Sequence, residues 1–118
     1  MVMEGRKENL IVKKTIEFSL AMIKYCRLLK QLKEFEMSNQ LFRSSTSIGA
    51  NVFEAQHAES RADFIHKMKI ASKEASETHY WLILCERSSD YFFDRELMTK
   101  LESILRILTS IISTSKKR

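Results

Sequence analysis

Apolar positions along the chain recur at alternating steps of three and four, in four separate stretches. In the first, residues 9–34, Ile11, Thr15, Phe18, Met22, Tyr25, Leu29 and Leu32 mark one line, and Val12, Ile16, Ile23 and Cys26 mark a second beside it. A half-buried strand would alternate with period two. A period near 3.6 belongs to an amphipathic helix, and two adjacent rows make its apolar face wider than a coiled-coil seam. The second stretch, residues 39–58, has its line at Leu41, Ser45, Ile48, Val52 and Ala55, with Ser38 as the expected N-cap. The third, residues 61–88, repeats without a break through Phe64, Met68, Ala71, Ala75, Thr78, Leu82 and Cys85. Ser60 is placed to cap it, and Asp63 stands at the acidic position of a capping-box-like pair. The fourth, residues 95–115, is capped by Asp94 and runs through Leu97, Leu101, Ile104, Leu108 and Ile111, widened by Met98, Leu105, Ile107 and Ile112.

The connections, around residues 35–38, 59–60 and 89–94, are short enough to force neighbouring helices antiparallel. The expected fold is all-α: one antiparallel up-down-up-down four-helix bundle over residues 1–118, with residues 1–7 and 116–118 loose. Composition agrees. Two glycines and no proline leave a β-rich or loop-rich fold without its turn residues. With 44% hydrophobic and 30% charged residues the chain has material for a core and is not a disordered polymer. The double apolar rows on the first and fourth helices exceed what a lone bundle hides, so a homo-oligomer is expected. The longest unbroken apolar run, Tyr80 to Cys85, is far too short to span a membrane. No signal peptide is expected either, and two cysteines, Cys26 and Cys85, make no disulfide framework. Together these place the protein in the cytoplasm.

Charge adds a direction. Twenty Lys and Arg against fifteen Asp and Glu give +5, which favours a polyanionic partner such as RNA or DNA. Lys24, Arg27, Lys30 and Lys33 follow one another at steps of three, forming a spiral band on the first helix; Lys67, Lys69 and Lys73 add charge on the third. Phosphate contacts need only such cations. A solvated face balanced by Glu34, Glu36 and Glu74 is the competing explanation.

The second helix is different. From Met37 to Ser60 only Arg43, Glu54 and Glu59 carry formal charge. Gly49, in the helix interior, suggests close approach of another backbone. Ser44, Ser47, Asn51 and Glu54 share a line beside the seam, and Glu74 and Glu77 hold the equivalent place on the third helix. Such a junction is either a ligand site or a buried polar network of Arg43, Ser47, Asn51, Glu54, Glu74 and Glu77 that fixes helix register. The second is favoured, because a hydrolytic site would add a histidine or nucleophile at the same level. Breaking one buried charged pair would then cost roughly 3–5 kcal/mol. Glu54-x-x-His57 and Asp63-x-x-His66 have the spacing of di-iron ligands, but both flank one turn and the fourth helix has no carboxylate after Glu102. Neither a metal nor another cofactor is expected. With no Gly-rich phosphate loop and no nucleophile–base arrangement, neither is an enzyme.

Two ordered motifs carry a resemblance. Gln40-Leu41-x-Arg43-Ser44-x-Thr46-Ser47-Ile48-Gly49-Ala50-Asn51-Val52-x-Glu54-Ala55 is followed by Asp63-Phe64-x-x-Lys67 and Ile70-Ala71-x-Lys73-Glu74-Ala75-x-Glu77-Thr78-x-Tyr80-Trp81-Leu82. Together they resemble the bacterial four-helix bundle family of 23S rRNA-intervening sequence proteins, over about residues 8–115. The resemblance implies a homopentameric ring without firmly assigned enzymatic activity. It is also similar to the accessory proteins of diversity-generating retroelements, which implies contact with nucleic acid and a reverse transcriptase. The expected function is therefore a non-enzymatic oligomeric bundle binding RNA or DNA through phosphates. The alternative is a homo-oligomeric scaffold that binds a protein partner with no nucleic acid.

Overall fold

The computed structural model describes residues 6–117, with side chains from Leu10 to Lys117. Four helices follow in order: α1 (Arg6–Gln31), α2 (Phe35–Ala55), α3 (Arg61–Arg87) and α4 (Arg95–Lys116). The body measures 46 × 20 × 19 Å. A helix of 26 residues is about 39 Å long at ~1.5 Å per residue, so it fits only along the long axis. The short turns then reverse direction each time, which gives the antiparallel bundle. Residues 6–7 and Lys116 are helical, not loose as expected; residues 1–5 and 118, also expected to be loose, lie outside the described residues.

Every seam residue read from the periodicity is buried except Leu32, which lies in the first turn, half exposed. Neighbours around the bundle are α1–α2, α2–α3, α3–α4 and α4–α1, so α1 and α3 stand at diagonal corners, as do α2 and α4. The α2–α3 pairing is the most extensive and α1–α4 the least. Small side chains explain the first: α2 turns buried Ser44 and Ser45 inward, and α3 turns Ala71, Ala75 and Thr78 inward.

Three turn details differ from the reading of the sequence or sharpen it. First, α1 ends three residues earlier than expected and the connection occupies residues 32–34. Lys33 adopts φ 64°; its N–H reaches the Lys30 carbonyl at 3.0 Å, and the Glu34 N–H reaches the Leu29 carbonyl at 2.8 Å. This is a Schellman termination with lysine where glycine is usual. Second, Ser38 is not an N-cap. It lies inside α2, buried, and its hydroxyl donates across the interface to the Cys26 carbonyl at 2.9 Å. Third, the caps of α3 and α4 are as expected: Ser60 accepts from the Asp63 N–H at 3.0 Å, and Asp94 from the Glu96 N–H at 3.0 Å. The Asp63 carboxylate completes the first by accepting from the Glu59 N–H at 3.1 Å.

The second apolar rows of α1 and α4 are both largely covered. On α4, Met98 is buried, and Leu105, Ile107 and Ile112 are partly covered against the core. On α1, Cys26 is buried and Val12 and Ile23 are partly covered, but Ile16 is about half exposed, as is Leu20 outside that row. With Phe42 and Phe53 on the adjoining face of α2 they form one apolar strip; Tyr80 and Phe92 are equally exposed elsewhere on the bundle.

Candidate functional site

The polar residues singled out in the sequence divide into three groups. Arg43, from the middle of α2, reaches across to α3, where its guanidinium pairs with Glu74 at 3.2 Å and with Glu77. Glu77 also accepts from the Trp81 indole N–H at 3.0 Å, one turn further along α3. Beneath this cluster the hydroxyls of Ser44 and Thr78 are hydrogen-bonded at 2.8 Å, fully buried. Glu54 is not part of the cluster: it pairs with Lys67 at 2.8 Å, and that carboxylate pushes the Lys67 pKa upward. Ser47 and Asn51 hydrogen-bond to the carbonyls of Arg43 and Ser47, at 2.8 and 2.9 Å, and so stay on their own helix.

The expected buried network is thus a surface clasp. The Arg43 side chain is 50% exposed and Glu54 59%. Helical spacing gives the angle at which a side chain leaves the axis but not its depth, and long charged side chains carry their heads to water. Ion pairs at such exposure contribute about 1 kcal/mol or less. Nor does Gly49 admit another backbone. A Cβ there would meet side-chain atoms of Ser19 and Thr15 at 3.4 Å, ordinary van der Waals contact.

The expected cations also fall into separate sets. Lys24, Arg27, Lys30 and Lys33 are all exposed at the end of the bundle where α1 turns into α2, and among the described residues none forms an ion pair. A step of three falls about 60° short of a full turn. Lys24 consequently borders the α1–α4 seam, whereas Arg27 and Lys30 border the α1–α2 seam. Lys69 and Lys73 are exposed on α3, at the diagonal corner and toward the opposite half, and Lys67 is occupied by Glu54. The seven do not make one patch: four share the α1 end of the bundle, and of these Arg27 and Lys30 alone border the same recess.

Two recesses lie along the α1–α2 seam. The larger, about 450 Å³, is formed by Ile16, Leu20, Gly49, Ala50 and Phe53, with Glu54 at its edge. The smaller, about 200 Å³, lies toward the turn, between Ile23, Arg27, Lys30 and Phe42. The expectations had left this seam out. Its signal was Phe42 and Phe53, off the apolar line of α2 and three turns apart, hence on one face.

The remaining candidates stay apart. Cys26 and Cys85 are free and buried. Burial pushes the Cys26 thiol up to about 11 and raises Cys85 as well. Tyr25, buried beside them, donates to the Phe92 carbonyl, and burial raises its phenol above the usual range. Among the described residues no three His, Cys, Asp or Glu side chains converge as metal ligands. None of the described helices is long and apolar enough to cross a membrane.

Fold and surface thus define an all-α four-helix bundle with a clasped α2–α3 pair and an apolar seam ending in unpaired cations. Residues 7–113 match the family described as 23S rRNA-intervening sequence protein, and the chain belongs to that family. It is similar to a crystal structure from Bacteroides thetaiotaomicron, a protein of unknown function from the S23 ribosomal protein family, with 43% identity, a TM-score of 0.85 and coverage of 92% of this chain and 99% of that one. No curated protein matches it.

Proposed function

We propose that the protein is a non-enzymatic, self-assembling bundle that grips RNA by its backbone phosphates. The observation that carries this reading is the set Lys24, Arg27, Lys30 and Lys33, exposed together at one end of α1 without ion-pair partners among the described residues. An unpaired surface cation keeps its full charge for a phosphate, and each phosphate neutralised releases counterions. The family's description refers to an intervening sequence of ribosomal RNA, a place and not a ligand, so RNA is the first polyanion to test and DNA the second. Self-assembly is supported by Ile16, Leu20 and Phe53, about half exposed around the larger recess. Copies joined there, in the five-membered ring that the resemblance implies, would present their cations as a group and multiply a weak grip by avidity.

Anisotropy titration of a labelled structured RNA tests the reading. Four phosphate contacts would weaken binding roughly a hundredfold between about 50 and 200 mM salt. Changing all four cations to Ala should flatten that dependence. Absence of binding at low salt would reject the reading in favour of a scaffold for a protein partner.

A further inference from the structure

Of the two recesses along the α1–α2 seam, only the smaller is bordered by cations. The larger is apolar, and the one charged group at its rim, the Glu54 carboxylate, is already paired with Lys67, so it offers phosphate no cation of its own. The smaller has Arg27 and Lys30 on its α1 side and the half-exposed Phe42 ring on its α2 side. Its floor is uncharged. The Ser38 hydroxyl donates to the Cys26 carbonyl, and the Cys26 thiol is neutral at neutral pH, as an ordinary thiol is, with burial raising it further. A flat aromatic wall beside two phosphate-binding cations is the pairing found where single strands are held, since every base has a π-face to stack and every nucleotide a phosphate to anchor.

We propose that this recess seats one unpaired base of a single-stranded RNA segment, stacked on Phe42, with the flanking phosphates held by Arg27 and Lys30. The inference rests on the RNA reading above and narrows it to the state of the strand. A base inside an A-form duplex has both faces covered by its neighbours and cannot reach a concave wall. A duplex can still touch the cations. The site therefore separates two contributions: charge, common to strand and duplex, and stacking, available to the strand alone.

The test uses the full-length protein and two probes: a labelled RNA of about twelve nucleotides without self-complementarity, and the same strand annealed to its complement. At low salt the single strand should bind the more tightly, by roughly tenfold. Phe42→Ala should remove that preference while leaving duplex affinity and the salt dependence unchanged. Phe42→Tyr should retain the preference. Arg27→Ala combined with Lys30→Ala should weaken both probes and flatten both salt dependences. Helicity and thermal midpoint are followed for each variant; Phe42 lies at the surface, so the fold should hold. Equal affinity of wild type for strand and duplex would overturn the base seat and leave the phosphate reading standing, as would a parallel loss of both probes in Phe42→Ala. Failure of wild type to bind either probe would overturn both.

Discussion

Individual side chains of similar chemistry have opposite roles in this bundle. Ser38 and Ser45 are both buried serines on α2, but the Ser38 hydroxyl spans to α1 whereas the Ser45 hydroxyl has no partner among the described residues. A buried hydroxyl without a bond retains its desolvation penalty. Ser45→Ala is therefore expected to be neutral or to stabilise by up to about 1 kcal/mol, and Ser38→Ala to destabilise by about 1 kcal/mol, in urea titrations. Arg43→Ala should cost about 1 kcal/mol, because the guanidinium itself is half exposed even though Glu74 and Glu77 are more covered. The buried thiol and phenol set an alkaline limit. The Cys26 pKa is raised from its ordinary 9.0 to about 11, so the folded state binds that proton more tightly than the unfolded chain does. This contribution is fully present below about pH 9 and is lost as pH rises through about 11, and Tyr25 acts in the same direction above its ordinary 10.0. The urea midpoint should accordingly fall between about pH 8 and pH 10.5. Hydroxyl partners of this kind were not legible in the sequence. Ser38 beside a helix start fits a cap as well as a cross-helix donor, and only the early end of α1 decides between them.

At the scale of elements, the helices and their inward faces were almost entirely legible, because a seam such as Phe64 to Cys85 leaves no other period. Their ends were less so. Nothing in Leu32-Lys33-Glu34 signals a left-handed residue, which glycine would normally mark. The Lys33 backbone conformation costs roughly 1–2 kcal/mol for a residue with a Cβ. Lys33→Gly should recover about 1 kcal/mol of it, raising the thermal midpoint while removing one cation from the set proposed to bind RNA. Gly49→Ala should also stabilise, by up to about 1 kcal/mol, since a methyl group fits at contact distance and helix propensity favours it. Both are checked by thermal melts beside wild type.

For the whole molecule, hydrophobic surplus could be counted in the sequence but not located. Two rows on α1 and two on α4 look equivalent as patterns and both second rows are largely covered; only the arrangement of neighbours shows that Ile16 in that row and Leu20 outside it are left in solvent. The candidate interface had the same difficulty. Seven lysines and arginines read as one basic character, yet diagonal corners divide them. Leu20→Glu is expected to reduce the assembly to a single chain of 13.9 kDa by light scattering, with helicity retained. A wild-type protein already at that mass would refute the self-association surface.

The unequal pairing of the helices has a consequence for motion. With α2 and α3 the most extensively joined and α1 and α4 the least, the molecule resembles a firm hairpin to which α1 is held almost as extensively through α2, while α4 is the most loosely held rod. Amide deuterium uptake should be slowest in the middle of that hairpin, near Ile48 and Ala71, and faster along α1 and α4. RNA engaged through the α1 cations, as proposed, should slow uptake along α1 and leave α4 unchanged, so occupancy would be recorded on one outer helix and not on the other.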